Sequence, residues 1–390
     1  MTPGARAAAA IGVLDRILGG EAAEKALTNW GRASRFAGSG DRAAVRDLVY
    51  DALRCKRSFA ARGGAMTGRG LVLGGVRSAG VDEAAIFTGE GHAPAVVTTA
   101  EVERTPSEAE ALDMPEWLLA KFQASLGGDA AAVCLALRHR APMFLRVNLG
   151  KTTVEAAIAA LAGEAISARR HPVATTALEV TGNARKVQAS DAYLTGLVEV
   201  QDASSQAVVE ALPLTDGMRV LDLCAGGGGK TLAMAARAGL TLYAHDIAPR
   251  RMADLPSRAK RAGVMVTLVE RAETVAPFDL VLVDAPCSGS GSWRRDPEGK
   301  WALTAARLAA LGAIQSEVLA RAAALVGPAG VLAYATCSVL SEENSGQVAG
   351  FLGAHPGWGL IRSLNLSPLS GGDGFYLALL TRDRGLLTQS

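Results

Sequence analysis

The chain has 390 residues, 49% of them apolar, so it can form two or three domains with a sizeable core. Its formal net charge of +2 neither indicates nor excludes a nucleic-acid partner. The five cysteines show no CxxC pairing and no zinc-like spacing, which argues against a metal site and indicates a reducing compartment. No apolar run approaches the roughly 20 residues of a membrane span, and Asp15 interrupts the Ala-rich start, which argues against a signal peptide. We therefore expect a cytoplasmic monomer with no membrane partner.

The first part of the chain is basic and has a helical pattern. Residues 1–62 contain 11 Lys and Arg against six Asp and Glu, whereas residues 81–116 contain nine acids and one Arg. Apolar residues recur at helical spacing over Ile11–Leu18 and Val45–Leu53, which predicts an all-helical domain over 1–62. The basic run Arg54–Arg57 is either an RNA-facing patch or a solvated helix face.

Two further segments precede the most regular part of the chain. Residues 63–140 are rich in Gly and small residues in their first half and are predicted to form a connector with helices, one of them starting at Pro115. Residues 141–199 contain two strand-like segments, Phe144–Val147 and Ala177–Val180, on either side of a helical pattern. They are predicted to form a small α+β subdomain.

From residue 200 the chain alternates regularly between strand and helix patterns. This alternation predicts an α/β catalytic domain over 200–390, built on a doubly wound parallel sheet. The predicted strands are 219–223, 241–245, 264–269, 279–283, 331–335 and Phe375–Leu380, and the predicted helices are 230–238, 249–262 and 304–326.

The apolar run Leu280–Val283 leads directly into a short loop with reactive side chains. Such an uninterrupted run is typical of a strand buried on both faces of a parallel sheet. It stops at Asp284, and Pro286 with the small residues after it prevents a simple continuation. Ligands of open α/β sheets bind beyond the carboxyl ends of the strands. Asp284 and Cys287 are therefore predicted to face one ligand.

A glycine-rich loop, Cys224–Lys230, lies between a predicted strand and a predicted helix. Glycines let the backbone approach a ligand, and free amides at a helix start favour an acceptor. A P-loop would need glycine in place of Cys224, and a dinucleotide fingerprint would need glycine in place of Thr231. The loop fits S-adenosylmethionine, which carries no phosphate, and Asp246 is placed to bind its ribose hydroxyls. The alternative is a tight glycine turn with no ligand.

Cys287 and Cys337 occupy corresponding places, each beyond the carboxyl end of a predicted core strand. A single cysteine is more often a small buried hydrophobe than a nucleophile, but two at strand ends beside a cofactor loop indicate catalysis. The acids of Glu342-Glu343-Asn344 are predicted to lie in the first turn of a helix. Cys55 and Cys134 have no such setting and are predicted to be structural.

These motifs resemble those of the RsmB/Nop/Sun family of RNA 5-methylcytosine methyltransferases. The resemblance covers about residues 200–385 and rests on Cys224–Thr231, on Asp284–Cys287 with the following Ser-Gly-x-Gly, and on Thr336–Ser338. The segment Arg294–Trp301 also resembles the family's segment after the first cysteine signature.

Outside these motifs the resemblance is weaker. The helices of residues 1–62 resemble the NusB-like domain of RsmB-type members. Gly227 stands where the family usually has proline. No clear acid follows the third strand, so no adenine contact is carried over.

The resemblance implies a Rossmann-like methyltransferase sheet and a covalent mechanism. Carbon 5 of cytosine is too weak a nucleophile to accept a methyl group unless a thiolate first adds at carbon 6. The resemblance assigns this attack to Cys337 and the later elimination to Cys287, which position alone does not distinguish. It implies that Asp284 hydrogen-bonds the base and that Lys230 holds the base and favours the thiolate. The implied cofactor contacts are Cys224, Ala225, Gly226, Gly227, Gly228, Gly229, Lys230, Asp246 and Asp284.

RNA is the implied partner, and the NusB-like resemblance favours small-subunit ribosomal RNA over transfer RNA. Arg294, Arg295 and Lys300, next to Trp293 and Trp301, are predicted to bind a single-stranded segment. The alternative is that the two tryptophans belong to the core. A P-loop NTPase and a non-catalytic RNA-binding scaffold are the other classes considered, and the missing glycine and the two intact cysteines, respectively, count against them.

Overall fold

The structure is a computed structural model, and it describes residues 1–387. The chain divides into two compact units. Unit 1 comprises residues 1–140 together with the later segment 293–302, and unit 2 comprises residues 141–292 and the chain from Leu303 onward.

Unit 1 is helical. The hydroxyl of Thr2 accepts the Ala5 N–H and Pro3 occupies the first turn, so the first helix starts where both signals predict. The helices are α1 (Pro3–Leu18), α2 (Ala23–Ala33), α3 (Ser39–Arg54), α4 (Lys56–Gly63), α5 (Gly68–Ser78), α6 (Glu108–Ala111), α7 (Glu116–Leu126) and α8 (Ala130–Ala136), with 3-10 turns at Glu83–Ala85 and Gly127–Asp129.

The prediction of a domain boundary after residue 62 is wrong. Leu71 and Leu73 on α5, and Phe87 beyond it, are buried in the same core as Leu14 and Leu53. Helix α5 lies directly against α4, at a spacing that its glycines permit. A Cβ on Gly74 would lie 1.9 Å from the Phe59 carbonyl oxygen. The small residues that suggested a loose connector therefore serve close helix packing.

The α+β subdomain of unit 2 forms a four-stranded antiparallel sheet in the order β2-β3-β1-β4. Both predicted strands and the predicted helix between them are confirmed, whereas β2 and β4 are additional. The elements are β1 (Met143–Val147), α9 (Val154–Gly163), β2 (Ser167–Arg170), β3 (Ala177–Gly182), α10 (Asp191–Leu194) and β4 (Val198–Val200), with a 3-10 turn at Ala184–Ala189.

The rest of the chain confirms the predicted strand–helix alternation. All six predicted strands are present. The elements are α11 (Ala203–Glu210), β5 (Arg219–Asp222), α12 (Gly229–Ala235), β6 (Thr241–Ala244), α13 (Leu255–Ala262), β7 (Thr267–Leu268), β8 (Phe278–Asp284), α14 (Pro297–Ala302), α15 (Ala305–Leu325), β9 (Val326–Thr336), α16 (Ser345–Ala354), β10 (Gly359–Leu366), β11 (Phe375–Thr381) and α17 (Arg384–Leu387), with 3-10 turns at Pro249–Met252, Ala272–Thr274, Ser341–Glu343 and Pro368–Ser370.

The seven-stranded sheet has the order β10-β11-β9-β8-β5-β6-β7. The five strands from β7 to β9 are parallel, as the predicted fold class requires, and β11 and β10 add an antiparallel edge to them. Residues of α15 and α16 pack on one face and residues of α11 and α12 on the other. This sheet is doubly wound, and the carboxyl ends of β5, β6, β8 and β9 meet at one edge.

Helix α15 is long and apolar enough to cross a membrane by length and composition, contrary to the expectation that no apolar segment approaches that length. Its residues Leu319, Ala322 and Leu325 are buried in the core against the sheet. These buried residues of α15 therefore serve packing in unit 2.

Candidate active site

The glycine loop joins β5 to α12 and has the backbone that only glycine adopts readily. Gly226 and Gly228 have φ values of 49° and 78°. A Cβ on Gly228 would lie 2.2 Å from a methyl carbon of Leu255. The remaining predicted contacts of the loop (Cys224, Ala225, Gly227, Gly229 and Lys230) follow in the same turn. Glycine at position 228 is therefore required by the turn and by close packing against Leu255.

Asp246 fixes this loop to the end of β6. Its side chain is 2% exposed. One oxygen accepts the Gly226 N–H at 2.9 Å and the other accepts the Ala248 N–H at 2.9 Å, while Arg251 lies 3.1 Å away. A carboxylate has about four lone-pair sites, so it can also accept a ribose hydroxyl. Ile247 beside it is 89% exposed and offers an apolar surface.

Two ionisable groups at the start of the loop, the Asp222 carboxyl and the Cys224 thiol, have raised pKa values. Burial raises the pKa of Cys224 to about 12. Burial also raises the pKa of Asp222 to about 6, although its carboxylate accepts the Thr231 hydroxyl at 2.6 Å. Sequence reasoning missed Asp222. The sequence feature that could have identified it is an acid at the end of an apolar strand, directly before a glycine loop.

Lys230 and Asp284 form an ion pair between α12 and the end of β8. The Lys230 Nζ lies 2.7 Å from the Asp284 carboxylate. Lys230 is buried, which disfavours its charge, but the Asp284 carboxylate outweighs the burial and the pKa of Lys230 is raised. The pair places a positive group and a carboxylate together at the edge of the sheet where the glycine loop lies.

The two predicted cysteines are brought together. Strands β8 and β9 are parallel neighbours, with Asp284 opposite Ala335. The Sγ atoms of Cys287 and Cys337 are 3.4 Å apart. The hydrogen bond from Cys287 lowers the pKa of Cys337, and the Lys230 charge acts in the same direction. The contact with Cys337 and burial raise the pKa of Cys287. Of the two thiols, Cys337 is therefore the one that ionises more readily.

Glu343, Ser288 and Ser338 surround the thiols and were not predicted. The acids of residues 342–344 were expected in the first turn of a helix, but Glu343 ends a 3-10 turn and its carboxylate is buried against both serines. The serine that follows each cysteine could have been recognised from the sequence. The role of Glu343 could not, because the Ser288 that it binds lies 55 residues earlier in the chain.

The predicted RNA contacts in segment 293–302 do not fit the structure, apart from Arg295. Lys300 is 2% exposed and donates to the Arg54 carbonyl at 3.1 Å, and Arg294 is also buried. A buried ammonium cannot reach a phosphate backbone in this conformation. Trp293 stacks on Phe122, so the alternative that the tryptophans belong to a core is the correct one for Trp293.

Trp301 is likewise held within unit 1, because its indole N–H donates to the Leu53 carbonyl at 2.7 Å. The neighbouring Glu298 accepts the Ala23 N–H at 2.9 Å. The segment after the first cysteine signature thus ends in α14, which is bound to the helices of unit 1. Arg295 is exposed.

Exposed arginines lie elsewhere in unit 1. The α2–α3 arginine cluster consists of Arg32, Arg35, Arg42 and Arg46, which line a concave surface of about 720 Å³ together with Trp30. Arg46 pairs with Glu24. Within residues 1–387, no carboxylate forms a salt bridge with Arg32 or Arg35. Phe36 next to the cluster is 77% exposed. This combination of free cations and aromatic groups is typical of a nucleic-acid contact.

Comparison with known proteins agrees with the geometry. Residues 209–380 match the family described as 16S rRNA methyltransferase RsmB/F, and residues 114–188 match the RsmF/B-like ferredoxin-like domain. The Ribosomal RNA small subunit methyltransferase B of Citrobacter koseri is 35% identical over 293 residues, which cover 71% of this chain and 68% of that protein. The chain belongs to the RsmB/F methyltransferase family.

A second relative shows how much of each chain the sequence match covers. The protein of the same name from Enterobacter sp. (strain 638) is 35% identical over 289 residues, covering 69% of this chain and 66% of that protein. The matched region thus spans slightly under two thirds of the length of that relative. The chain is a member of a methyltransferase family, and S-adenosylmethionine is the cofactor that this membership implies.

Solved structures show the same fold. The crystal structure of PH0851 superposes with a TM-score of 0.77 at 24% identity, covering 98% of this chain and 99% of the other. The structure of NSun6 from Pyrococcus horikoshii with SFG superposes with a TM-score of 0.61 at 19% identity, covering 69% of this chain and 98% of the other. At these identities the likeness concerns the fold alone.

Proposed function

We propose that this protein is an S-adenosylmethionine-dependent RNA (cytosine-5) methyltransferase that acts on small-subunit ribosomal RNA. The observation that carries the reaction is the pair of thiols, Cys287 and Cys337, 3.4 Å apart beside the Lys230–Asp284 ion pair. Most methyl transfers need no nucleophile on the enzyme, whereas carbon 5 of cytosine needs one, and a second group must then remove a proton. The ribosomal substrate is supported by the names of the relatives.

The residues present fit the cofactor. The positive φ values of Gly226 and Gly228 shape loop 224–230 so that its backbone can approach a ligand, Asp246 can accept the ribose hydroxyls, and Asp284 ends the neighbouring strand β8. Bound there, S-adenosylmethionine supplies the methyl group. The lack of proline at Gly227 does not disturb the loop, because the Gly227 carbonyl accepts from Arg258.

The chain's own residues account for the remaining chemistry. The Cys337 thiolate adds to carbon 6, and the electron pair of the 5,6 double bond moves to carbon 5, which takes the methyl group. The Asp284 carboxylate accepts a hydrogen bond from the exocyclic amine of the base, and Lys230 favours the thiolate. Cys287 releases its own proton to solvent, and the thiolate so formed takes the carbon 5 proton. The bond between carbon 6 and Cys337 then breaks and the aromatic ring is restored.

RNA binding is assigned to the α2–α3 arginine cluster and to Arg295. The target cytosine must be unpaired or flipped to reach thiols at the end of a sheet. Deleting residues 1–62 would expose the core shared with Leu71 and Phe87, so point variants are the suitable test. Exchange of Arg32 and Arg35 for Gln should weaken RNA binding and reduce the salt slope by about 2. Arg104→Gln, at an exposed arginine already paired with Glu110, is the matched control.

Bisulfite sequencing tests the function directly. Small-subunit ribosomal RNA, transfer RNA and total RNA are incubated with S-adenosylmethionine and either wild-type protein or Cys337→Ala, and cytosines protected only by the wild type are mapped. One protected cytosine in the ribosomal RNA is expected. Protection in transfer RNA alone would make this a transfer-RNA enzyme. Binding of RNA without protection of any cytosine would make it a non-catalytic scaffold. A ribosomal substrate would also fit the expected cytoplasmic location.

A further inference from the structure

Glu343 is a buried carboxylate that accepts four hydrogen bonds between the two cysteine loops. It is 1% exposed and ends the 3-10 turn that follows Cys337. One carboxylate oxygen accepts the hydroxyls of Ser288 and Ser338, both at 2.5 Å. The other accepts the Ser288 N–H at 2.8 Å and the Gln315 side-chain amide at 3.0 Å. All four donors are neutral.

The two serines are the residues directly after the two catalytic thiols. A single oxygen of Glu343 therefore joins the Cys287 loop to the Cys337 loop. Gln315 extends the connection, because its amide also donates to the Pro286 carbonyl at 2.9 Å. The loops are also joined directly, because the Gly291 N–H donates to the Cys337 carbonyl at 2.9 Å and the Val339 N–H donates to the Ser290 hydroxyl at 2.9 Å. Among these links, Glu343 binds both of the serines that directly follow the two thiols.

Burying the negative charge of Glu343 costs free energy, which suggests that the charge itself has a function. Within residues 1–387 no Lys or Arg forms a salt bridge with Glu343, and burying a carboxylate without a cation is unfavourable. A neutral side chain could link two loops at lower cost. The charge acts more on one thiol than on the other, since Glu343 is among the groups that raise the pKa of Cys287 and not among the main influences on Cys337.

We propose that Glu343 is a positioning residue of the dithiol site: its carboxylate ties the Cys287 loop to the Cys337 loop and places its negative charge against the Ser288 N–H and hydroxyl, beside Cys287. The inference deepens the proposed function and rests on it for the roles of the thiols. In this role Glu343 touches neither the base nor the cofactor. It acts through Ser288 and Ser338.

The test compares Glu343→Gln with Glu342→Gln. Glutamine has nearly the same shape, but it carries no charge and only one of its two terminal atoms can accept, so it cannot keep all four hydrogen bonds. Glu342 is its exposed neighbour, so the control makes the same change one residue away. Each variant is first treated with iodoacetamide, without RNA or cofactor, at a series of pH values, and peptide mass spectrometry measures the rate at each thiol. Methylation kinetics on the RNA identified by bisulfite sequencing are then measured.

In Glu343→Gln the alkylation profile of Cys287 should move to lower pH, because a negative charge beside that thiol is lost. The preference for Cys337 should therefore shrink. The value of kcat should fall about 100-fold, as expected for misplaced reacting groups, with KM for RNA unchanged. Glu342→Gln should match the wild type. A merely structural role would raise alkylation of both thiols together and leave their ratio unchanged.

A second variant keeps the proposal testable if Glu343→Gln does not fold. The double variant Ser288→Ala, Ser338→Ala keeps the charge and removes both hydroxyls, and it should also lower kcat at constant KM. Wild-type kcat in either folded variant, or an unchanged ratio of the two alkylation rates in folded Glu343→Gln, overturns the proposal. A changed ratio in a protein whose wild type methylates no RNA supports the positioning role and rejects the proposed reaction instead.

Discussion

The two thiol loops hold the same residue at equivalent places in the fold, yet their environments differ. Cys287 follows β8 and Cys337 follows β9, which are parallel neighbours, and both side chains are partly buried. The pKa of Cys337 is lowered by the Cys287 hydrogen bond and by Lys230, whereas the pKa of Cys287 is raised by the Cys337 contact, by burial and by Glu343. Their mutual hydrogen bond and the groups around them, and not position in the fold, make the two thiols different.

The largest effect is expected from Cys337→Ala. Removing the nucleophile should abolish methylation, a loss of at least about 10⁴-fold in kcat, and no protein–RNA adduct should form. Radiolabelled methyl transfer and a denaturing gel measure the two quantities. Cys134→Ala, which removes a buried thiol of unit 1, is the control and should keep activity. An adduct formed by Cys337→Ala would mean that Cys287 can attack and that the two loops exchange roles.

Cys287→Ala should also stop turnover but in a different way. The Cys337 thiolate still attacks and the methyl group is still transferred, but the carbon 5 proton has no acceptor, so release slows by about 10²- to 10⁴-fold. A covalent protein–RNA complex should accumulate and survive a denaturing gel, and mass spectrometry should find a methylated base on Cys337. If Cys287→Ala turns over at the wild-type rate, the asymmetry between the loops has no part in release.

Lys230→Gln tests the origin of the difference between the thiols. Lys230 stabilises the Cys337 thiolate, so its loss should raise the pKa of Cys337 and move the alkylation profile of that thiol to higher pH. At neutral pH Cys337 should then react more slowly, while Cys287 should change little. Lys260→Gln, an exposed lysine on α13, is the control. A Cys337 profile that stays in place would assign the lowered pKa to Cys287 alone.

Much of this comparison could be predicted from the sequence. Apolar runs that end at Asp222 and Asp284, followed by glycine or proline, place the loops at strand ends, because strand burial and turn chemistry are local properties. To predict that the two cysteine loops are neighbours, the order of the strands in the sheet is needed as well, and the alternating strand–helix pattern indicated that order. Glu343 could not be predicted as their link, since the serine that it binds on the Cys287 loop lies 55 residues earlier in the chain.

Segment 293–302 shows where such reasoning fails. Arginine, lysine and tryptophan close together suit an RNA strand, but here Lys300 and Trp301 donate to the backbone carbonyls of Arg54 and Leu53 at the end of α3. Burial lowers the pKa of Lys300 to about 8. Composition describes which bonds side chains can make and does not say whether the acceptor is a phosphate or a carbonyl of the same chain. The exposed arginines of α2 and α3 are spaced irregularly and gave no motif.

The smallest effect is expected at Asp246, which lies away from both thiols. Asp246→Ala removes charge-assisted hydrogen bonds to the ribose and to the Gly226 N–H, so S-adenosylmethionine should bind more weakly by about 1–3 kcal/mol, or about 5- to 150-fold. The pH profiles of Cys287 and Cys337 should not move, because neither thiol depends on the loop from β6. Calorimetry measures the affinity, and Asp254→Ala, at an exposed acid before α13, is the control. An unchanged affinity would remove Asp246 from the ribose site, and a shifted Cys337 profile would show that the cofactor loop also sets the reactivity of the thiols.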